Sequence, residues 1–202
     1  MPDLEVVAKI EDLVKNTEPT IATEIMAYVK VAQDYQKKAE KVYEILTSGK
    51  LVKPKMSSRK TIAVSENTAI VSGWDSLNLK WQKTIAEQLH LSLKQDESQV
   101  KEFYQAHQTE FAQYGYQTRT WELDPEEEPG KHYRSHAEKQ ISVIKPSPAI
   151  GISRAMCEED CYPYFHALAQ MRKQNLVVAD PEGVWVFYNN DRVKLFRRIK
   201  TT

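Results

Sequence analysis

Apolar side chains return every three or four positions through most of the first 115 residues, and the units shorten afterwards. In residues 4–14 they fall at 4, 6, 7, 10, 13 and 14, which predicts a helix interrupted at 17–19. Ile21, Ile25, Tyr28, Val29, Ala32, Tyr35, Ala39, Val42, Tyr43 and Leu46 continue the spacing to Gly49, with Thr20 as a candidate cap. That is a helix of about 28 residues whose apolar face must find a partner. Residues 51–58, with Pro54, lysines and two serines, read as an exposed loop. Short strands are expected at 61–64 and 69–71, around a turn at Ser65, Glu66 and Asn67. Helical spacing resumes through Leu77, Trp81, Ile85 and Leu89 in 74–93. It returns through Val100, Phe103, Tyr104, His107 and Phe111 in 99–114, with Asp96 or Ser98 as the start.

Beyond residue 115 the pattern predicts a strand over 116–123, an acidic loop with two prolines over 124–130 and a helix over 136–145. A strand over 150–153 and a helix over 161–175 follow, then strands over 176–179 and 184–188 joined by a turn at 180–183. Trp185 and Phe187 alternate with Val184 and Val186, so the two pairs face opposite sides of one strand. This order implies an α/β protein: a small core with a central sheet flanked by helices over 116–202, carried by a mainly helical N-terminal region over 1–115.

Charge adds little direction. Lys and Arg total 28 and so do Asp and Glu, so no net field draws the 202-residue chain to nucleic acid or anionic lipid. Basic residues do collect on the long helix, at Lys30, Lys37, Lys38, Lys41 and Lys50, and near the end, at Arg192, Lys194, Arg197, Arg198 and Lys200. The second cluster is where nucleic-acid contact is expected, unless it is a solvated tail. The first residues carry acids at 3, 5, 11 and 12 and do not look like a secretory signal, and no apolar run is long enough to span a membrane. The two cysteines lie close together at Cys157 and Cys161, unlike a disulfide framework. A cytoplasmic location, or delivery as an effector without a conventional signal peptide, is therefore expected.

Two short segments carry the chemistry: SHAEKQ over 135–140 and SRAMCEEDC over 153–161. Together they offer His136, Cys157 and Cys161 as three soft or borderline ligands, the set of a catalytic zinc site with its fourth position open. Glu138 is placed to move protons beside such a metal. Arg154, Met156 and Tyr162 are candidate substrate contacts, Arg154 because a guanidinium can meet a phosphate with two hydrogen bonds. Tyr164, Phe165 and His132 are further residues near the approach. Pro163 belongs in the first turn of a helix, so that helix should begin near Cys161 or Tyr162 and leave Cys157 in the preceding loop.

The pattern resembles the cytidine-deaminase-like superfamily, with its His-x-Glu at one helix start and Pro-Cys-x-x-Cys at the next. H136-A137-E138 and I152-S153-R154-A155-M156-C157 look most like the bacterial toxin deaminases of the YwqJ-like group. The resemblance covers about 116–188. It implies zinc on His136, Cys157 and Cys161, Glu138 as proton shuttle, and hydroxide attack at C4 of cytosine or C6 of adenine in a nucleoside, nucleotide or single-stranded DNA or RNA. Met156 stands where the family has proline, and three residues rather than two separate the cysteines. An inactive interaction module stabilised by zinc, and a helical scaffold with a redox pair of thiols, remain alternatives. A toxin-like enzyme also calls for a protecting partner such as an immunity protein, and the apolar stripe of 21–46 either packs on 74–114 or holds one.

Overall fold

The computed structural model describes residues 4–74, 76–117 and 136–198. Eight strands form one mixed sheet in the order β1-β8-β7-β6-β5-β2-β3-β4. They are β1 (Leu4–Val7), β2 (Ile62–Ser65), β3 (Thr68–Val71), β4 (Ser92–Leu93), β5 (Ala149–Ile152), β6 (Leu176–Asp180), β7 (Gly183–Phe187) and β8 (Val193–Arg197). The helices are α1 (Pro19–Ser48), α2 (Leu79–Leu89), α3 (Glu97–Gln113), α4 (Ala137–Ile144) and α5 (Cys161–Met171). The architecture is the expected α/β one, a sheet flanked by helices with a helical N-terminal region. The sheet draws β2 and β3 from before residue 116 and pairs β2 antiparallel with β5.

α1 begins with Pro19 in its first turn and stops at Gly49, whose φ of 63° is the left-handed conformation glycine tolerates. Its apolar stripe lies across one face of the sheet. Ile25, Val29 and Ala32 pack with Ala149, Val177, Ala179, Val184 and Val186, while Ala39, Val42 and Leu46 pack with Ile62, Val64 and Ile85. The stripe is thus spent mainly on the sheet, and on α2 only at its C-terminal end; it does not stand open for a partner. β5 admits the helix closely: a Cβ on Gly151 would lie 2.0 Å from the backbone nitrogen of Gln36.

The opposite face carries Ile150, Ile152, Val178, Trp185 and Phe187, covered by α3, α4 and α5. Trp185 and Phe187 therefore face α5 while Val184 and Val186 face α1, as their alternation predicts. β5, α5 and β6 form a parallel β-α-β unit. The loop between β5 and α5 emerges at the carboxyl end of β5, where open α/β sheets place their sites.

Both ends of the chain differ from expectation. Residues 4–14 form β1 and a 3₁₀ turn (Ile10–Val14) rather than a helix, because β1 pairs in parallel with β8 across the whole chain. Among the described residues of the basic C-terminal cluster, Lys194 and Arg197 lie in β8 rather than in a free tail. Lys194 is buried and bonds the carbonyls of Asp12 and Lys15 and the Glu5 carboxylate, at 3.2, 3.3 and 3.2 Å. Arg197 pairs with Glu158 at 3.0 Å, Arg198 reaches Gln36 at 3.5 Å, and Arg192 lies over the Tyr188 ring. The helix expected over 74–93 is confined to α2 and gives way to the short β4. Most of the strand expected over 116–123, the acidic loop over 124–130, His132, Ser135 and Lys200 lie outside the described residues.

Candidate metal centre

Two helix starts meet on the α4–α5 side of the sheet. His136 is the N-cap of α4, with φ −62° and ψ 132°, so its side chain leaves the amino end of the helix in extended backbone. This local turn is what allows Glu138, two positions later in the first helical turn, to share a site with it; in a regular helix the two would diverge by about 200°. α5 begins at Cys161 with Pro163 in its first turn, and Cys157 stays in the loop before it, as the position of Pro163 predicts. The additional residue between the cysteines is taken up by a turn over 158–160, closed by the Tyr162 N–H donating to the Cys157 carbonyl at 3.1 Å.

One ligand atom each from His136, Cys157 and Cys161 falls within 4.8 Å of the others. His136 Nδ1 lies 3.1 Å from Cys161 Sγ, and the Cys161 thiol donates to Glu138 Oε1 at 3.1 Å. Cys161 and Glu138 are buried, His136 and Cys157 half-buried. The Cys161 thiol, backbone N–H groups of Cys161 and Asp160, and the His136 charge stabilise a thiolate on Cys157 and hold its pKa down to about 6 against the effect of burial. Burial pushes Cys161 well above the usual thiol value, and the Cys157 hydrogen bond and the Glu138 carboxylate add to it.

The donor chemistry fits a borderline cation such as zinc. Two sulfurs and an imidazole converge, and the second carboxylate oxygen of Glu138, Oε2, is buried without a hydrogen-bond partner.

Behind the ligands stands a charge pair the sequence did not advertise. Lys139 is fully buried and its Nζ pairs with Asp160, the N-cap of α5. It also donates to Tyr116 Oη at 2.7 Å, and that hydroxyl donates on to Asp160 Oδ1 at 3.3 Å. The rings of Tyr116, Tyr164 and Tyr104 surround the ammonium at 5.0, 5.2 and 5.9 Å. A buried ammonium survives only when paired and caged in this way. The pair couples the first turn of α4 to the start of α5, and thereby Glu138 to Cys161.

Asp180 at the end of β6 fixes the other cysteine. Its carboxylate accepts the N–H groups of Glu182 and Gly183, both at 2.7 Å, the Trp185 indole at 3.1 Å and the Met156 N–H at 3.0 Å. A proline at 156 would have no N–H to give to this bond. Met156 is itself buried in the core, and Tyr162 packs on Trp185 and Phe187. Arg154 Nη1 donates to the Ser58 carbonyl at 2.7 Å.

A cleft of 370 Å³ opens on the site. It is lined by His136, Glu138 and Cys157 and by Arg59, Lys60, Thr61 and Ser72. Arg154, Met156 and Tyr162 do not line it, whereas Arg59 and Lys60, just beyond the segment read as a loop, do. The only advance signal for those two was their charge. Their proximity to His136 depends on β2 pairing with β5.

No helix among the described residues is long and apolar enough to cross a membrane. The chain matches no model of a known protein family, and a search of curated proteins finds no match. The α/β fold and the His136, Cys157 and Cys161 cluster are consistent with a deaminase-like protein able to bind a metal ion.

Proposed function

We propose that the protein is a zinc-dependent hydrolytic deaminase of a nucleobase, of the bacterial toxin type that the YwqJ-like pattern suggests. The observation that carries the reading is the position of Glu138: buried, on the wall of the cleft, beside His136 and Cys161, with Oε2 unpartnered. Zinc would be held by His136, Cys157 and Cys161 and would supply Lewis-acid chemistry that makes water a nucleophile near neutral pH. Glu138 takes one proton from the attacking water at Oε2 and hands it to the ring nitrogen, then takes the hydroxyl proton of the adduct and hands it to the departing amine. Water replaces the exocyclic amine, and ammonia leaves. The Lys139–Asp160 pair and Asp180 hold the two helix starts so that these groups keep their spacing. The resemblance to toxin deaminases suggests a delivered effector and a protecting partner protein.

The test is metal content together with ammonia release. Protein purified without added metal should carry one zinc per chain, lost in His136→Ala, Cys157→Ser and Cys161→Ser. It should also convert at least one of a panel of nucleosides, nucleotides and short DNA and RNA strands, read as a mass shift. Zinc without conversion of any substrate supports the inactive, zinc-stabilised module instead. A metal-free chain with a reversible Cys157–Cys161 disulfide contradicts the zinc reading.

A further inference from the structure

The cleft beside His136 and Glu138 has a cationic side that the deamination chemistry does not use. Arg59 and Lys60 line it, and Glu138 is the single acidic residue among the described residues that do so. No described acidic side chain pairs with the Arg59 guanidinium, which is exposed to solvent. The backbone that carries them is held from several sides. Met56 is buried against α1 and its N–H donates to the Leu46 carbonyl at 2.6 Å; Trp81 Nε1 donates to the Pro54 carbonyl at 3.0 Å. Tyr43 Oη and Arg154 Nη1 both donate to the Ser58 carbonyl, at 2.9 and 2.7 Å. Ser57 closes the turn by accepting the Arg59 N–H at 3.3 Å on Oγ and the Lys60 N–H at 3.2 Å on its carbonyl.

We infer that Arg59 and Lys60 form a phosphate subsite, so that the substrate is a nucleoside monophosphate rather than a free nucleoside. The inference rests on the deaminase reading for the base and on the Arg59–Lys60 turn for the phosphate. The Arg59 guanidinium on a fixed turn, lining a cleft beside the candidate reacting groups, is suited to a phosphate dianion, which accepts its charge-assisted hydrogen bonds, with Lys60 adding positive charge on the same side. A cleft of 370 Å³ is at the small end of ligand sites. Among the described lining residues the cationic pair is confined to one turn and does not extend along a groove, which suits a single phosphate rather than a polymer backbone. Arg154 acts one step back, by supporting the turn that presents Arg59.

The experiment titrates the full chain, zinc content recorded, with inorganic phosphate, with CMP, AMP and GMP, with the matching nucleosides, and with a short single-stranded oligonucleotide. At least one monophosphate is expected to bind roughly tenfold or more tighter than its nucleoside, the scale of one or two charged hydrogen bonds. Inorganic phosphate should compete with it, and the preference should weaken with salt. Arg59→Glu should erase the preference while zinc content and far-UV circular dichroism stay unchanged; Arg59→Gln serves if the charge reversal does not fold. Equal affinities for nucleotide and nucleoside, or a preference that survives both variants, overturn the subsite, and tighter binding of the oligonucleotide overturns the mononucleotide assignment. Arg59-dependent nucleotide binding with no ammonia released from any ligand leaves the phosphate subsite standing and contradicts the deaminase reading alone.

Discussion

The two faces of the sheet are both buried by apolar contacts and differ in the polar groups they retain. Beneath α1 the contacts are mostly hydrocarbon, Gln36 being the buried polar exception: Ile25, Val29, Ala32, Ala39, Val42 and Leu46 meet aliphatic residues of β2, β5, β6 and β7. Beneath α4 and α5 a larger apolar cluster encloses a group of buried polar and charged side chains. α4 is buried along nearly its whole length although it includes Glu138, Lys139, Gln140 and Ser142, and α5 begins with a buried thiol. Apolar burial stabilises by removing area from water, whereas each buried polar group costs free energy unless it is paired. The first face is what a fold needs. The second retains a charge pair, two thiols and a half-partnered carboxylate, and groups of that kind collect where chemistry is done. The difference marks the second face as the one that carries the candidate site.

The comparison breaks most easily at Lys139. Lys139→Met strands the Asp160 carboxylate in the interior and should destabilise the protein by about 3–5 kcal/mol in urea unfolding, the cost of a buried pair losing one partner. A loss below about 1 kcal/mol would mean that the pair is not held as described. Pairing the change with Asp160→Leu should recover most of that stability. Metal retention should still be about 10–100-fold weaker, because the brace behind Cys161 is gone.

Ile25→Ala tests the other face. Truncating this fully buried side chain should cost about 2–5 kcal/mol by cavity formation. Zinc affinity of the folded protein should stay at the parent value, as measured by chelator competition. If zinc binding weakens as much as it does in the Lys139 variants, the two faces are not separate in function.

These two residues also mark what the sequence could disclose. Ile25 belongs to a stripe repeated over many turns, so its helix and its burial were legible, as were β5, the start of α5 at Cys161 and the clustering of His136, Cys157 and Cys161. Lys139 looked like an ordinary polar residue, because its burial is created by Asp160 and by tyrosines at 104, 116 and 164. The same cause hid Arg59, Lys60 and Asp180. β1 fitted a helical spacing as well as a strand, and only pairing with β8 decides between them. β8 was obscured by its own charges, although Val193 and Leu195 alternate with them as a strand requires.

Alkaline pH sharpens the contrast at lower cost. Tyr164 is fully buried against α4, and burial pushes its pKa up to about 12, with Arg172 and hydrogen bonds from Ser142 and Tyr104 pulling the other way. A folded pKa above the unfolded value of 10 means that the contribution is complete below pH 10. It is lost as pH rises from 10 to 12, since only the unfolded chain releases the proton there. Two pH units correspond to about 3 kcal/mol. Tyr164→Phe should flatten that alkaline limb in denaturation curves recorded from pH 9 to 12, and an unchanged limb would contradict the assignment.

The smallest effect belongs to Arg154. Its partly exposed hydrogen bond to Ser58 should contribute about 0.5–1.5 kcal/mol, so Arg154→Ala should leave the melting temperature nearly unchanged. Under the phosphate-subsite inference it should raise KM more than it lowers kcat, because the turn bearing Arg59 is loosened. A fall in kcat alone would place Arg154 in the chemistry instead.

The central claim, that the polar face is a deaminase site with Glu138 as its proton carrier, is tested most directly by turnover of Glu138→Gln. The amide keeps the size of the side chain but cannot cycle a proton at neutral pH. The variant should fold, keep its zinc and bind substrate, while turnover falls about a hundredfold or more, the scale of positioned acid–base catalysis. Turnover within about threefold of the parent, with zinc retained, would contradict the account.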